Sequence, residues 1–483
     1  MIRSGCVGFV LCATIASAQQ RTLPSIELKS GLVITQSARV LPRVYDLPSV
    51  APTDAPIIII RGDNITVDFA GAVLQGMPPD SSPDLGRGTA ILVERGSNIR
   101  ILNARARGYK IGILARGTTG LTLIDNDFSY NWKPRLFSVI EHESLVDWLS
   151  FHHNDAGEWL RYGAGIYLDS VQGGELRGNT VRQGMNGLML TRSSGLMIRN
   201  NDFSFNSGVG IGLYRSAANT IVHNRVDYNV RGYSDRFYRR GQDAANLLMY
   251  EQSDRNVVAY NSMTHGGDGV FLWAGQTTMD SGVGGANDNL FYGNDFSFAP
   301  ANGIEATFSS NTFVANRVEG SEYGAWAGYS YNSRFVGNDF RGNRTGIAIE
   351  HGQKNLIAAN SFLGDSTAIH IWADAIEPGD WGYPKHRDTR SKDYEINDNL
   401  FVGNRVGIRA ASTAGLMVAT NMFVGVDTTA AIHDSTTYTF MRNAVRERGA
   451  VSVPKVPLMP AEFARMAPKP IPGGWMPMRS DTS

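Results

Sequence analysis

Asparagine returns along this chain at a nearly fixed step. Asn294, Asn316, Asn338 and Asn360 are spaced 22 residues apart, and the same step links Asn179 to Asn201. Asn201 to Asn224 and Asn103 to Asn126 are 23, and Asn360 to Asn404 is 44, twice the unit. Two residues after the asparagine comes an apolar residue (Phe296, Val318, Phe340, Phe362), and three before it another (Phe291, Phe313, Phe335, Ile357, Phe401). Self-similarity at such a period is the signature of a solenoid. About eight residues past each asparagine lies a stretch such as Gly346-Ile347-Ala348-Ile349-Glu350. Its period-two alternation makes a strand, and the repeats offer no helical stripe. Coils of about 22 residues stack with strands ~4.8 Å apart into an all-β parallel β-helix. One asparagine per bend then forms a ladder of amides, a structural role.

Units such as NDNLFYGNDFSFAPANGIEATFS and NSRFVGNDFRGNRTGIAIEHG resemble the right-handed parallel β-helix family that includes pectate-lyase-like enzymes, the carbohydrate-binding and sugar-hydrolase repeat, and the copper-accessory protein NosD. The resemblance spans roughly residues 55–425. It implies the fold and, with the crossover preference of parallel strands, the right hand. It leaves the activity open, because the motif reports coil geometry alone.

The expected organisation is a signal peptide over 1–18, an N-terminal cap over 19–55, the solenoid over 56–425, and a C-terminal region with a Pro-rich tail over 426–483. Arg3, an apolar run from Val7 to Ile15 and Ala16-Ser17-Ala18 supply the order of a secretory leader. Both cysteines, Cys6 and Cys12, fall inside it. The mature chain would then have no disulfide and no thiolate chemistry. A secreted or periplasmic, monomeric protein is expected, with no membrane span. Ladder gaps longer than one period place insertions near 132–162, 231–245, 274–285 and 374–398. Such insertions project from a solenoid and build binding sites. The tail, with Trp475 as a possible anchor, is expected to be extended, packed along the solenoid or loosely ordered.

Charge excludes one class of partner. The 45 basic residues are balanced by 45 acidic ones, so no electrostatic footprint for nucleic acid exists. With 42% hydrophobic residues over 483 positions, the chain has enough apolar area for a large core.

Aligning coils on the asparagines turns Ile347, Ile349, Val270, Leu272, Ile304, Ile369 and Ile371 inward. Their neighbours form an outward strip that includes Tyr250, Phe271 with Trp273, Glu305, Trp326, Glu350, His370 with Trp372, and Arg409. Rows of indole and phenol rings suit the apolar faces of sugars. The competing reading is that insertions or tail cover the strip as a second core. Paired carboxylates are the economical equipment for glycosidic cleavage. Glu305 and Glu350, two coils and two residues apart, would have α-carbons ~12 Å apart. That separation suits an inverting pair more than a retaining one. Asp268 and His370 complete the catalytic candidates, with Phe271, Trp273, Trp326, Trp372, Tyr250, His351 and Arg409 as substrate-binding candidates.

The expected function is therefore polysaccharide hydrolysis without a cofactor. A uronate lyase or epimerase is an alternative, with Lys385, His386, Arg387 and Arg409, or calcium, neutralising the substrate carboxylate. A non-catalytic polysaccharide binder and a NosD-like metal-accessory protein are the others. Copper prefers clustered methionine and histidine, and Met476, Met478, His152 and His153 are sparse. No metal-binding residue is therefore assigned.

Overall fold

The computed structural model describes residues 23–49, 56–139, 142, 144–149, 153–231, 244–377, 379–447 and 458–477. The expected leader with both cysteines, His152, Met478 and most of the 231–245 insertion lie outside the described residues.

Among the described residues every pairing between strands of two or more residues is parallel, and the coils stack into three faces. The first face is a 16-stranded sheet running from Ser25–Ile26 to Tyr438–Met441, and the second a 15-stranded sheet from Leu32–Ile34 to Thr428–His433. The third face consists of a 3-stranded and a 6-stranded sheet, linked by single-residue bridges such as Asp202↔Arg225↔Ser262↔Asp295. Stacking starts at Ser25, inside the segment expected as a cap, and continues to Arg446, past residue 425.

Rings one coil apart stack because the strand spacing of ~4.8 Å falls within the centroid range of offset-stacked aromatics. Phe291, Phe313 and Phe335 have centroids 4.8 and 4.9 Å apart. Phe340, Phe362, Phe401 and Phe423 repeat this at 5.2, 5.1 and 4.5 Å. A glycine opens most second-face strands for a reason of space. A Cβ on Gly346 would stand 2.6 Å from the Ala368 carbonyl oxygen and 2.8 Å from the Phe362 ring.

The amide ladder runs through Asn126, Asn179, Asn201, Asn224, Asn261, Asn294, Asn316, Asn338 and Asn360. In each step the backbone N–H and the side-chain Nδ2 both donate to the next Oδ1, as in Asn316 to Asn338 at 2.9 and 3.0 Å. The ends differ from the sequence reading. After Asn360 the next rung is Asn399, and Asn404 belongs to another row. Phe401 correspondingly pairs with Phe362 on the third face, while Ile396 continues from Ile357 on the first. The insertion sits inside this coil, so a 44-residue count lands on the wrong bend. Asn103 likewise bonds Asp68 instead of the ladder.

One rung on a parallel ladder is a carboxyl. Asn316, Asn338, Asn343 and Asn421 each donate Nδ2 to the carbonyl 25 residues upstream, those of Phe291, Phe313, Val318 and Ile396. Asp365 follows Asn343, whose N–H and Nδ2 donate to its Oδ1 at 2.7 and 2.8 Å. The same step leads to the Phe340 carbonyl, yet Asp365 Oδ2 is buried without a hydrogen-bond partner. Burial pushes this carboxyl up to about 7. A protonated Oδ2 supplies the missing donor.

The tail packs along the first face. Met459 and Phe463 lie on Val314, Val336 and Ala358, and the Tyr260 hydroxyl donates to the Pro468 carbonyl at 2.8 Å. His223 bonds the Trp475 carbonyl through Nδ1 at 2.6 Å and accepts the Ile471 N–H through Nε2 at 3.2 Å. Trp475 is held by its backbone, and its ring lies beneath Arg225.

Candidate functional site

The outward strip of the second face is in register. One row runs Tyr167, Met189, Gly212, Leu248, Phe271, Glu305, Trp326, Ala348, His370, Arg409. Two residues further along the strands, Tyr214, Tyr250 and Trp273 form a second row, and Glu350 pairs with Trp372. Insertions divide this strip into covered and open parts.

The N-terminal half is covered. Leu149, Trp159 and Tyr162 of the first insertion form a second core with Tyr167, Met189, Tyr214, Leu248, Tyr250 and Phe271. The Trp159 ring meets Tyr214 at 5.3 Å and Tyr250 at 5.5 Å, both edge-on. Arg215 fastens the cover by pairing with Asp155 at 2.8 Å and with buried Glu251 at 2.6 Å. Tyr250 and Phe271, expected as sugar platforms, are 2% and 3% exposed. Their rings are spent on this packing because the insertion supplies apolar partners that the strip alone lacks.

A third apolar cluster lies at the turn after the strip. Helices Gln276–Ser281 and Tyr383–His386, from the third and fourth insertions, bring Met279 and Tyr383 onto Phe308 and Tyr329. Trp273 packs against both covers. Arg387 is engaged with the Tyr331 and Tyr383 rings and the Gly282 carbonyl, so it serves the junction of the two insertions.

Between the covers the strip is open. Tyr323, Trp326, Glu350, His370, Trp372 and Arg409 are all partly exposed. The Trp326 and Trp372 rings approach to 5.6 Å, which leans both over the intervening coil at Ala348. Tyr323 lies 5.2 Å from Trp326, and His370 stacks on Trp372 at 4.2 Å. Small side chains make room: the Trp326 indole lies over Gly328, within 3.6 Å of where a Cβ would stand.

The carboxylates sit in different environments. Glu305 accepts from Asn302 Nδ2 at 2.7 Å, while the Asn302 backbone N–H donates to Asp268 at 3.1 Å. Asn302 thus ties Asp268 and Glu305 together, but Asp268 itself is fully buried. Glu350 is pushed up to about 7, first by burial and then by a hydrogen bond and repulsion from Asp374, with Glu377 adding. His370 is pushed down to about 4 by burial and by Arg409. Burial thus acts in opposite directions on the strip's two ionisable groups, holding the Glu350 carboxyl above the ordinary carboxylate range and the His370 imidazole below the ordinary histidine range.

His351 is buried and faces the fourth insertion. Its Nδ1 bonds the Thr389 carbonyl at 2.8 Å, and the Asp374 N–H donates to its Nε2 at 3.0 Å. It has no ring nitrogen left for a ligand. Asn302, Tyr323, Asp374 and Glu377 were missed by sequence reasoning. Asn302 and Tyr323 occupy the same strand-opening position, three before Glu305 and Trp326, and that offset was their available signal. Asp374 and Glu377 had none, because insertions carry no period.

Among the described residues no group of three or more His, Cys, Asp or Glu is gathered to hold a metal ion. Both ring nitrogens of His223 and of His351 are engaged in hydrogen bonds within the chain. Among the same residues no helix is long and apolar enough to cross a membrane.

Residues 153–244 and 234–381 match a family model described as periplasmic copper-binding protein (NosD). No curated protein matches the chain. Among solved structures, the A-module of the Azotobacter vinelandii mannuronan C-5 epimerase AlgE6 is similar at 11% identity and TM-score 0.42, covering 85% of this chain and 91% of that one. The periplasmic alginate epimerase AlgG is similar at 12% identity and TM-score 0.36, over 82% and 79%. The DFA-IIIase of Arthrobacter chlorophenolicus A6 in complex with DFA-III is similar at 12% and 0.38, over 81% and 82%. With its all-parallel stacked sheets and the family match across its middle, this chain is a right-handed parallel β-helix protein.

Proposed function

We propose that the chain binds a polysaccharide along the open part of the second face and hydrolyses a glycosidic bond there. Trp326 and Trp372, with Tyr323, present aromatic surface for sugar rings. Glu350 is the general acid and Glu305 the base that activates water. The observation that carries this reading is the Glu350 carboxyl, raised to about 7 beside the two indoles. An acid poised near neutral pH, with a second carboxyl two coils away, is the division of labour that glycosidic cleavage needs. The register supports a wide separation, with α-carbons ~12 Å apart, which leaves room for a water and favours inversion.

A lyase or epimerase reading draws support from Arg409, a cation in the same row beside His370. A glycan panel decides between them. Reducing ends released without the absorbance of an unsaturated uronate support hydrolysis, and that absorbance supports elimination. A change of sugar configuration without chain cleavage supports epimerisation. Binding without any of these leaves a polysaccharide-binding module. Glu350→Gln and Glu305→Gln should each abolish turnover and keep binding; a fully active variant removes that carboxylate from the mechanism.

A further inference from the structure

His351 touches neither the aromatic rings of the open strip nor solvent, yet both of its ring nitrogens are committed to one appended segment. The Asp374 N–H can only donate, so Nε2 must accept; the Thr389 carbonyl can only accept, so Nδ1 must carry the proton. The bonds reach the fourth insertion at its first residue, Asp374, and again at Thr389. A neutral ring in a single tautomer is therefore required for the segment to lie as it does.

We propose that His351 is a latch that holds the 374–398 insertion against the coil while its ring is neutral, and that protonation of the ring releases the segment. A proton on Nε2 turns an acceptor into a donor facing the Asp374 N–H, and the bond cannot form. The titratable groups around the ring are Tyr329, Glu350 at the end of the strand that precedes it, and Asp374 and Glu377 on the insertion. The Tyr329 ring stacks on it from the preceding coil at 4.9 Å, and Thr389 donates to Glu377 at 2.7 Å. A carboxylate cannot replace the two backbone bonds that the neutral ring makes.

The consequence rests on the reading of Glu350 as an acid. Asp374 raises the Glu350 carboxyl, and its backbone is what His351 grips. His351 is thus a positioning residue: opening the latch withdraws Asp374 and lowers Glu350 towards the ordinary carboxylate range.

Hydrogen exchange of the full chain tests the latch without reference to turnover. Protection of peptides within 374–398, corrected for the intrinsic pH dependence of exchange, should fall at least tenfold between about pH 7.5 and about pH 5. The ladder peptides should stay protected. His351→Gln should show low protection at both pH values with an unchanged core. Glu350→Gln should keep the pH step, so loss of catalysis and loss of the latch are separable. Equal protection of the native segment at both pH values, or a pH step retained in His351→Gln, overturns the proposal.

Discussion

Replacing Asp365 with asparagine should stabilise the protein at alkaline pH and hardly change it at acid pH. The side chain is 0% exposed, Oδ1 accepts two bonds from Asn343, and Oδ2 has none. Its carboxyl rises from 3.8 to about 7 on folding. Between those values the folded chain keeps a proton that the unfolded chain has released. Stability therefore falls as pH rises through that window and levels off above about 7. At about 1.4 kcal/mol per pH unit, the loss is about 4 kcal/mol at most. Asparagine keeps the Oδ1 acceptor and places a permanent donor towards the Phe340 carbonyl. Urea unfolding followed by circular dichroism should make Asp365→Asn more stable by roughly 2–4 kcal/mol near pH 8, and equal to native within about 1 kcal/mol near pH 4.5. A variant less stable near pH 8, or an advantage of equal size at both pH values, would refute the protonated rung.

Other outcomes follow from the same structure. Asp374→Asn removes the main ionic contribution to the raised Glu350 carboxyl, so the alkaline limb of a pH–rate profile should move to lower pH, while an unmoved limb would separate Glu350 from the acid step. Trp159→Ala should cost about 3–5 kcal/mol and expose Tyr214 and Tyr250, measurable by unfolding and tyrosine accessibility. Asn316→Ala removes the Oδ1 that accepts both the backbone N–H and the Nδ2 of Asn294 and should cost more than about 2 kcal/mol in the same unfolding assay. His223→Gln should loosen 468–477 to proteases and leave the ladder unchanged, because both ring nitrogens are tail contacts.

The solenoid was legible because its information is periodic. Asn294, Asn316, Asn338 and Asn360 needed only a count, and the inward and outward assignment of Ile347, Glu350, His370 and Trp372 followed from alternation alone. The ladder misled only where an insertion sits within the coil, so that Asn399 and not Asn404 follows Asn360. The strip was legible as a row but not as a surface. Nothing in Tyr250 or Phe271 distinguishes a ring awaiting sugar from one awaiting Trp159, since both uses ask for the same apolar edge. Asp374 was hidden for a related reason: a loop residue's position is set by contacts such as the His351 latch, and those contacts leave no spacing in the sequence.

The account depends on the open stretch of the second face being where a sugar chain lies. A crystal structure of Glu350→Gln with the oligosaccharide best retained from a glycan panel tests this directly. The account requires sugar rings against Trp326 and Trp372, with a glycosidic oxygen within hydrogen-bond reach of residue 350. Sugar bound on another face, or along the first face beside the tail, would contradict it.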